Sequence, residues 1–547
     1  MRSPRSLLVK YTPTFSSLVP TTALLAAALV SCNSDPPVVE PGPVAKTKPK
    51  VPPIPDVPPD PYARPPGGQE AKAVVAMNKD PRRAPPNTAR PGSGEPIDAP
   101  FATTTSNGFE IRFATGSPVP TPTIHDGRLI VSGGFNSREI FAYSATTGSG
   151  QWGRTLSDDG PSNAVCEGQT CVFNSESCTT FAVNEKTGKV LWSWWLGDPQ
   201  TSAPTLANGR VFASYPAYGG AMPAITDDLA DAPKPPLPTG AMPTGATHVI
   251  GAFDLKTGKP LWRKWLDADV MSAPVAVGDF LYLTTFAGTV MKIDQATGDI
   301  RYAVAMRATS APVIVRDAKG NEQLHITRRV EERPDETKEA IIRADVGATR
   351  LTYRAHAKLA PYLDGKVQRN AAMTKQAQVD DSENGFSSVP SAANAGVAAQ
   401  TVGLANVSTL QRFQGSRVLV AGGMVYSTMG DEVIAIDSES GEVKWRYALA
   451  GNTATEGGHL GTAPLVAGND IVVATLSGNV VRLDAKTGKL NATYKTGAPL
   501  RSQPAVMGGW IYLGSEDGRL IAIDTHDKSL TGWPTWGGDN GRTAVRL

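Results

Sequence analysis

Cysteines are the residues whose type and spacing point most directly to chemistry. Three of the four lie close together, at Cys166, Cys171 and Cys178. Between the first two, residues 168–169 (Gly-Gln) can form a two-residue hairpin turn, which makes Cys166 and Cys171 a directly opposed, non-hydrogen-bonded pair. That pairing brings the two Cα atoms close enough for a disulfide. We therefore predict a Cys166–Cys171 disulfide.

A zinc site is the alternative use of these cysteines. No histidine lies near them at the spacing that zinc ligands have, so we predict no metal here. In the hairpin arrangement Cys178 is expected to lie opposite Phe173 on the next strand and to remain unpaired.

Other catalytic signatures are missing from the sequence. It contains no G-x-S-x-G, no H-E-x-x-H and no P-loop. The histidines are scattered, at His125, His248, His325, His356, His459 and His526. Only His459, in the glycine-rich segment TATEGGHLGTAP, is a candidate to line a binding mouth. We predict no catalytic residue.

From residue 108 onward the chain repeats a unit of about 40 residues. A clear copy is SAPVAVGDFLYLTTFAGTVMKIDQATGDIRYAVAM (272–306), and a related one is RVLVAGGMVYSTMGDEVIAIDSESGEVKWRYAL (417–449). Each copy predicts four short strands joined by tight turns. Eight copies are present, of which the fifth (SAPVIVRDAKGNEQLHITRR and the residues after it) is the least regular.

A D-x-x-T-G turn precedes the last strand of most copies. Its aspartate can accept backbone N–H bonds across the turn, and its glycine supplies the positive φ that the turn needs. The predicted turn residues are Asp254 and Gly258, Asp294 and Gly298, Asp437 and Gly441, and Asp484 and Gly488.

An aromatic residue follows the turn glycine by four positions in most copies. In a ring of repeats this position can wedge a large side chain between neighbouring units. The predicted docking residues are Trp152, Trp192, Trp262, Tyr302 and Trp445.

The D-x-x-T-G-x-x-x-W pattern and the C-terminal WPTWGGDNGRT (533–543) resemble the PQQ-like repeat family of β-propellers. The resemblance covers roughly residues 108–543 and implies an all-β, eight-bladed propeller. The repeated G-H and W-D signatures of WD40 propellers are absent. The strand GFEIRFAT (108–115) resembles a fourth strand without its own blade, so we expect it to complete the last blade and close the ring.

Two long insertions interrupt the repeats, near 216–247 and near 359–411. The first separates the second and third strands of the third copy, and the second separates the fifth and sixth copies. Both are expected on the face opposite the D-x-x-T-G turns. They form either a partner surface or loops that drifted in length at little cost.

The N-terminus resembles a bacterial lipoprotein signal. Basic residues precede the apolar stretch LVPTTALLAAALV (18–30), and Leu-Val-Ser-Cys ends at Cys32, the predicted lipidation site. Residues 1–31 are then a signal peptide, 32–100 a disordered proline-rich tether and 101–547 the propeller. Asn33, and not an aspartate, follows the cysteine, which resembles the signal of lipoproteins sorted to the outer membrane. We therefore predict a lipid-anchored protein of the outer membrane that faces the periplasm or the cell surface.

Composition agrees with a turn-rich β protein, with 54 glycines and 45 prolines. A net charge of +2 over 547 residues gives no indication of a nucleic-acid partner.

The family resemblance implies two kinds of function. One is a non-catalytic envelope scaffold, similar to the BamB-like lipoproteins of outer-membrane β-barrel assembly, which would bind another envelope protein and need no cofactor. The alternatives are a quinoprotein dehydrogenase that holds PQQ and calcium, or a propeller that binds a small ligand or polysaccharide. Many such dehydrogenases carry an adjacent Cys-Cys pair, which this sequence lacks. We expect the scaffold.

Overall fold

The computed structural model describes residues 94–175, 179–196, 202–217, 238, 243–305, 308, 310–316, 320–333, 336–346, 351–361, 418–451 and 460–546. All of them belong to one compact unit, Pro53–Leu547. Every regular element in these residues is a β-strand. The described part of the chain holds no helix with the length and apolarity needed to span a bilayer.

The strands form eight sheets, which we number in chain order. Three strands come first in the chain and add to sheets 1 and 8: β1 (Glu95–Ile97), β2 (Thr103–Thr105) and β3 (Gly108–Arg112). Sheet 1 contains β4 (Thr123–His125), β5 (Arg128–Ser132), β6 (Glu139–Ser144) and β7 (Gly150–Thr155). Sheet 2 contains β8 (Val165–Glu167), β9 (Thr170–Asn174), β10 (Thr179–Asn184) and β11 (Val190–Trp195). Sheet 3 contains β12 (Thr205–Ala207), β13 (Arg210–Pro216), β14 (His248–Asp254) and β15 (Pro260–Leu266). Sheet 4 contains β16 (Val275–Val277), β17 (Phe280–Thr284), β18 (Thr289–Asp294) and β19 (Ile300–Ala305).

The second half continues the pattern. Sheet 5 contains β20 (Val313–Arg316), β21 (Glu322–Arg333), β22 (Glu336–Val346) and β23 (Leu351–Pro361). Sheet 6 contains β24 (Val418–Ala421), β25 (Met424–Met429), β26 (Glu432–Asp437) and β27 (Val443–Ala448). Sheet 7 contains β28 (Leu465–Ala467), β29 (Asp470–Ala474), β30 (Asn479–Asp484) and β31 (Leu490–Lys495). Sheet 8 contains β32 (Ala505–Met507), β33 (Trp510–Gly514) and β34 (Arg519–Asp524), and β35 (Val545–Arg546) joins sheet 6.

The strands of each sheet form an antiparallel meander, as in a propeller blade, except that β35 adds to sheet 6 in parallel. The structure supports seven regular blades rather than the predicted eight. Seven sheets are regular, with strands of three to seven residues, whereas sheet 5 has later strands of 11 or 12 residues. Its sequence lacks a turn of the D-x-x-T-G type, which follows the third strand in most of the other sheets.

The N-terminal strand β3 completes sheet 8, which confirms the predicted ring closure. It pairs with β34, and Phe109 lies opposite Ala522. Strand β1 lies within the predicted tether (32–100) and pairs with the outer strand β7 of sheet 1. Strand β2 pairs with β3 on sheet 8. The segment 95–112 therefore joins both sheets that meet at the closing junction.

Apolar side chains fill the spaces between neighbouring sheets. The cluster between sheets 1 and 2, for example, contains Ile140, Phe173 and Phe181, each at most 1% exposed. Equivalent clusters lie between the other sheets. Because each strand alternates its side chains between two faces, a sheet packed on both faces must be apolar on both.

Candidate functional site

The predicted docking tryptophans lie at the junctions between sheets. The indole Nε1–H of Trp152 donates to the carbonyl of Glu185 in sheet 2 at 2.9 Å. Trp262 donates in the same way to Gln295 in sheet 4 at 2.8 Å. The remaining two pairs are Trp192 with Leu255 and Trp445 with Ala485, both at 2.9 Å.

All four carbonyls belong to the second residue of a turn in the next sheet, the D-x-x-T-G-type turn before its fourth strand. The turn glycine lies under the ring. A Cβ at Gly488 would meet the Trp445 ring at 2.6 Å, and one at Gly298 would meet the Trp262 ring at 2.7 Å. The glycine is therefore required for space as well as for its positive φ.

The D-x-x-T-G turns have the hydrogen bonds that the sequence predicts. Oδ1 of Asp254 accepts from the N–H of Thr257 at 2.8 Å and from its hydroxyl at 2.6 Å. Asp294, Asp437 and Asp484 accept equivalent backbone bonds. The turn glycines Gly258, Gly298, Gly441 and Gly488 have φ of 68, 75, 73 and 69°.

Hydrogen bonds lower the pKa of three turn aspartates. The largest effect on Asp294 comes from the bond that Arg301 donates. For Asp437 it comes from the Ser440 N–H, and for Asp484 from the Thr487 hydroxyl. These carboxylates face solvent at the turns and stabilise them, so they have a structural role.

Tyr302 docks at a junction of a different kind. Its hydroxyl is buried between sheets 4 and 5 and has no hydrogen-bond partner among the described residues, and burial raises its pKa. Beside it, Glu322 is 4% exposed and pairs with Lys292 at 2.9 Å and with Arg316 at 2.8 Å. Burial opposes ionisation of Glu322, yet its hydrogen bonds and these two cations lower its pKa. An ion cluster therefore bridges sheets 4 and 5.

Other junctions use residues that the sequence analysis missed. Arg343 of sheet 5 donates to the carbonyl of Ser438 at 2.7 Å, and the Tyr512 hydroxyl of sheet 8 donates to Ala145 of sheet 1 at 2.8 Å. As with the tryptophans, each accepting carbonyl belongs to the second residue of the turn between the third and fourth strands of the next sheet. Arg482 of sheet 7 pairs with Asp527 of sheet 8 at 2.6 Å. Arg343 and Tyr512 thus reach the carbonyl that tryptophan reaches at other junctions, but from other strands of the sheet. A search for tryptophan could therefore not find them.

Cys166 and Cys171 form a disulfide, as the hairpin pattern predicts. They are directly opposed on β8 and β9, and both are buried. The prediction that Cys178 lies opposite Phe173 is wrong, because the register pairs Phe173 with Phe181. Cys178 itself lies outside the described residues.

The C-terminal segment, residues 531–546, lies against the inner strands of the sheets. The N–H groups of Ile124, Leu206 and Ala276 donate to the carbonyls of Pro534, Asn540 and Gly541. Val506 exchanges two hydrogen bonds with Trp533, and β35 pairs with β24. The segment therefore satisfies backbone groups of the unpaired inner edges of sheets 1, 3, 4, 6 and 8.

Three side chains of this segment form a buried polar cluster with two side chains of the ring. We call it the axial cluster (Asn163, Gln503, Thr535, Trp536 and Arg542). The guanidinium of Arg542 donates to Asn163 and to the carbonyls of Trp536 and Pro204, and it stacks 4.4 Å from the Trp536 ring. Burial lowers the pKa of Arg542 to about 9. The cluster is consequently a packed, internally hydrogen-bonded element.

The axial cluster does not offer the ligand set that calcium prefers. Calcium takes six to eight oxygen ligands, carboxylates foremost, and the cluster offers amides, a hydroxyl and a guanidinium. A buried guanidinium repels a divalent cation. Across the described residues, no group of three or more His, Cys, Asp or Glu side chains is arranged for a metal ion.

The four histidines whose side chains the structure describes do not converge. The ring of His125 bonds the carbonyl of Gly168 at 2.8 Å on sheet 2, whereas His248 and His325 are buried on sheets 3 and 5. Burial lowers the pKa of His248. His526 is exposed beside Asp524.

Several predicted features lie outside the described residues: the signal peptide, Cys32, most of the tether, His459 and most of both insertions. The insertions' ends are described. The first leaves the end of β13 and returns at β14, and the second follows β23 and precedes β24. The connections between sheets share a face with the turns between second and third strands, as the bond from Phe286 N–H to the Asp269 carbonyl illustrates.

The architecture, the docking turns and the axial C-terminal segment define a PQQ-like β-propeller. The chain matches the family described as Outer membrane protein assembly factor BamB over residues 105–227, 242–323 and 390–527, more than half of its length. The chain belongs to this family.

Individual relatives are distant. The Outer membrane protein assembly factor BamB of Moranella endobia is 22% identical over 386 residues, which cover 64% of this chain and 86% of the relative. The solved BamB of Moraxella catarrhalis is 14% identical, with 80% of this chain and 99% of that chain covered and a TM-score of 0.36. A quinohemoprotein alcohol dehydrogenase of Pseudomonas putida is 11% identical, with coverage of 86% and 84% and a TM-score of 0.49.

Proposed function

We propose that this protein is a non-catalytic, lipid-anchored scaffold of the bacterial envelope that binds a component of the β-barrel assembly machinery. The observation that carries the proposal is membership of the BamB family over more than half of the chain. The turn aspartates, the Glu322 ion cluster and Arg542 serve turns, a junction and the axial cluster, which are structural roles.

The axial cluster supports a scaffold. Its polar groups bond one another and the C-terminal segment, as Trp533 Nε1–H does with Gln503 Oε1 at 3.1 Å. A propeller filled in this way offers its outer surface to partners rather than its axis. We expect no cofactor.

The outer strands supply a surface for a protein partner. Two outer edges already carry an added strand, because β1 pairs with β7 and β2 pairs with β3. On the neighbouring sheets 2 and 3, Leu191 and Leu261 are 38% and 44% exposed, each one position before a docking tryptophan. An extended segment of a partner could add to such an edge and cover these side chains. We propose sheets 2 and 3 as the partner surface.

Anchoring at Cys32 completes the proposal. Acyl chains there would hold the protein at the outer membrane, and a proline-rich tether at ~3.1 Å per residue would carry the propeller away from it. Cys32→Ser is expected to abolish incorporation of labelled palmitate and to release the protein from the membrane fraction. Continued labelling of the variant would contradict the anchor.

The partner surface is tested by changing both leucines. Leu191→Glu combined with Leu261→Glu places two carboxylates on the proposed surface and should reduce recovery of the crosslinked partner at least about tenfold, since charged residues are disfavoured at interface cores. Leu490→Glu is the matched control, because Leu490 is also on an outer strand and 43% exposed, but on sheet 7. Equal recovery with all variants would place the partner elsewhere.

A further inference from the structure

The Cys166–Cys171 disulfide lies beside the C-terminal segment. The two cysteines are opposed on the β8–β9 hairpin, where they form a non-hydrogen-bonded pair. The N–H and C=O of Cys166 therefore point away from β9, toward the inner edge of sheet 2. Backbone groups on a buried edge need other partners.

One side chain supplies both of these partners. Oδ1 of Asn540 accepts from the Cys166 N–H at 3.2 Å, and its Nδ2 donates to the Cys166 carbonyl at 2.5 Å. The carbonyl of Asn540 also accepts from Leu206 N–H of sheet 3 at 3.0 Å. Asn540 thus joins the inner strands of sheets 2 and 3.

Sheet 2 differs here from sheets 1, 3, 4 and 8, whose inner strands also bond the segment directly from backbone to backbone. Asn163 and Ala164, just before β8, bond Thr535 and Arg542. The bonds from Asn540 to β8 itself depend on where the backbone of Cys166 is held. Strand β8 has only three residues, and the disulfide fixes its middle residue to β9. A shift of β8 away from β9 would misalign both hydrogen bonds of the Asn540 amide.

We propose that the disulfide and the seating of the C-terminal segment are coupled, so that the segment is a redox-sensitive clasp on the ring. Linkage makes the coupling reciprocal. Reduction weakens the binding of residues 533–546, and loss of the Asn540 contact makes the disulfide easier to reduce.

The reductant is a dithiol, such as an envelope thiol–disulfide oxidoreductase. Its thiolate attacks one sulfur and forms a mixed disulfide, which the second thiol resolves. Two cysteine thiols and one oxidised dithiol result, and the reductant supplies both electrons and both protons.

The first measurement titrates the full-length protein with mixtures of reduced and oxidised dithiothreitol. Differential alkylation and peptide mass spectrometry report Cys166 and Cys171 separately from the other cysteines. Asn540→Ala removes two ordinary hydrogen bonds and should shift the reduction midpoint about tenfold toward milder reductant. Asn491→Ala, on the outer strand of sheet 7, should leave the midpoint unchanged.

The second measurement is hydrogen exchange of peptides from residues 533–546. The Cys166→Ser/Cys171→Ser variant should exchange about tenfold faster than the oxidised protein in these peptides, while peptides of sheets 6 and 7 keep their rates. Asn540→Asp retains the acceptor for the Cys166 N–H and should give an intermediate midpoint. If either measurement stays within about twofold of the wild type, the disulfide and the segment are independent and the proposal fails.

Discussion

Gly488 tests the docking geometry most sharply, because two effects can be separated there. Its φ is +69°, and an added Cβ would lie 2.6 Å from the Trp445 ring. The ring cannot withdraw without losing the bond from its Nε1–H to the Ala485 carbonyl. Gly488→Ala therefore introduces both backbone strain and a clash.

Gly497 is the matched control. It has the same φ of +69°, but a Cβ added there would have no atom within 4 Å. Both substitutions carry the backbone cost of about 1–2 kcal/mol for an L-residue in the left-handed region. The difference between them isolates the clash, which we expect to cost about 1–3 kcal/mol more, as overpacking does.

Equilibrium urea unfolding followed by far-UV circular dichroism measures both free energies. A double-mutant cycle with Trp445→Ala completes the test. With the ring removed, Gly488→Ala should cost no more than Gly497→Ala. Equal costs in the wild-type background would refute the contact between the tryptophan and the turn glycine.

Three further predictions concern the closing junction, acid stability and the axial cluster. Phe109→Ala should destabilise the propeller by about 3–5 kcal/mol and speed proteolysis of the N-terminal strands, whereas Phe101→Ala should be neutral, since Phe101 is 95% exposed. Because the folded pKa of Glu322 is lowered, its contribution to stability is present above its unfolded pKa, about 4.3, and is lost as the pH falls through the folded pKa. Thermal melts from pH 7 to 3 should therefore show the gap between wild type and Glu322→Gln shrinking in acid, and a constant gap would contradict the ion cluster. Arg542→Met should lower the free energy of unfolding by about 3 kcal/mol because it leaves buried carbonyls without a donor. Urea unfolding curves measure this loss, and an unchanged unfolding midpoint would contradict it.

Features within one repeat could be predicted from the sequence. The D-x-x-T-G turns and the Cys166–Cys171 pair depend on residues a few positions apart, so their spacing determines the geometry. Ring closure by the N-terminal strand also followed from pattern, since residues 108–115 have the form of a fourth strand without a blade. The family resemblance added the all-β propeller.

Contacts between distant parts of the chain could not be predicted. The hydrogen bonds of Asn540 to Cys166 and of Tyr512 to Ala145 join residues more than 360 positions apart. Arg343 has no aromatic character, so a motif search for docking rings passes over it. Strand β1 falls within the predicted tether because its three residues include a proline and two largely exposed positions. Its pairing depends on the free outer edge of sheet 1, which exists only in the folded ring.

The central claim is that the propeller binds an envelope protein rather than a redox cofactor. Crosslinking in native membranes, followed by mass spectrometry of what copurifies with the full-length protein, tests it most directly. We predict recovery of a component of the β-barrel assembly machinery, reduced by the Leu191/Leu261 double variant and not by Leu490→Glu. If no protein partner is recovered, and the purified protein instead takes up PQQ with calcium and reduces a dye, the scaffold is contradicted and the protein is a dehydrogenase.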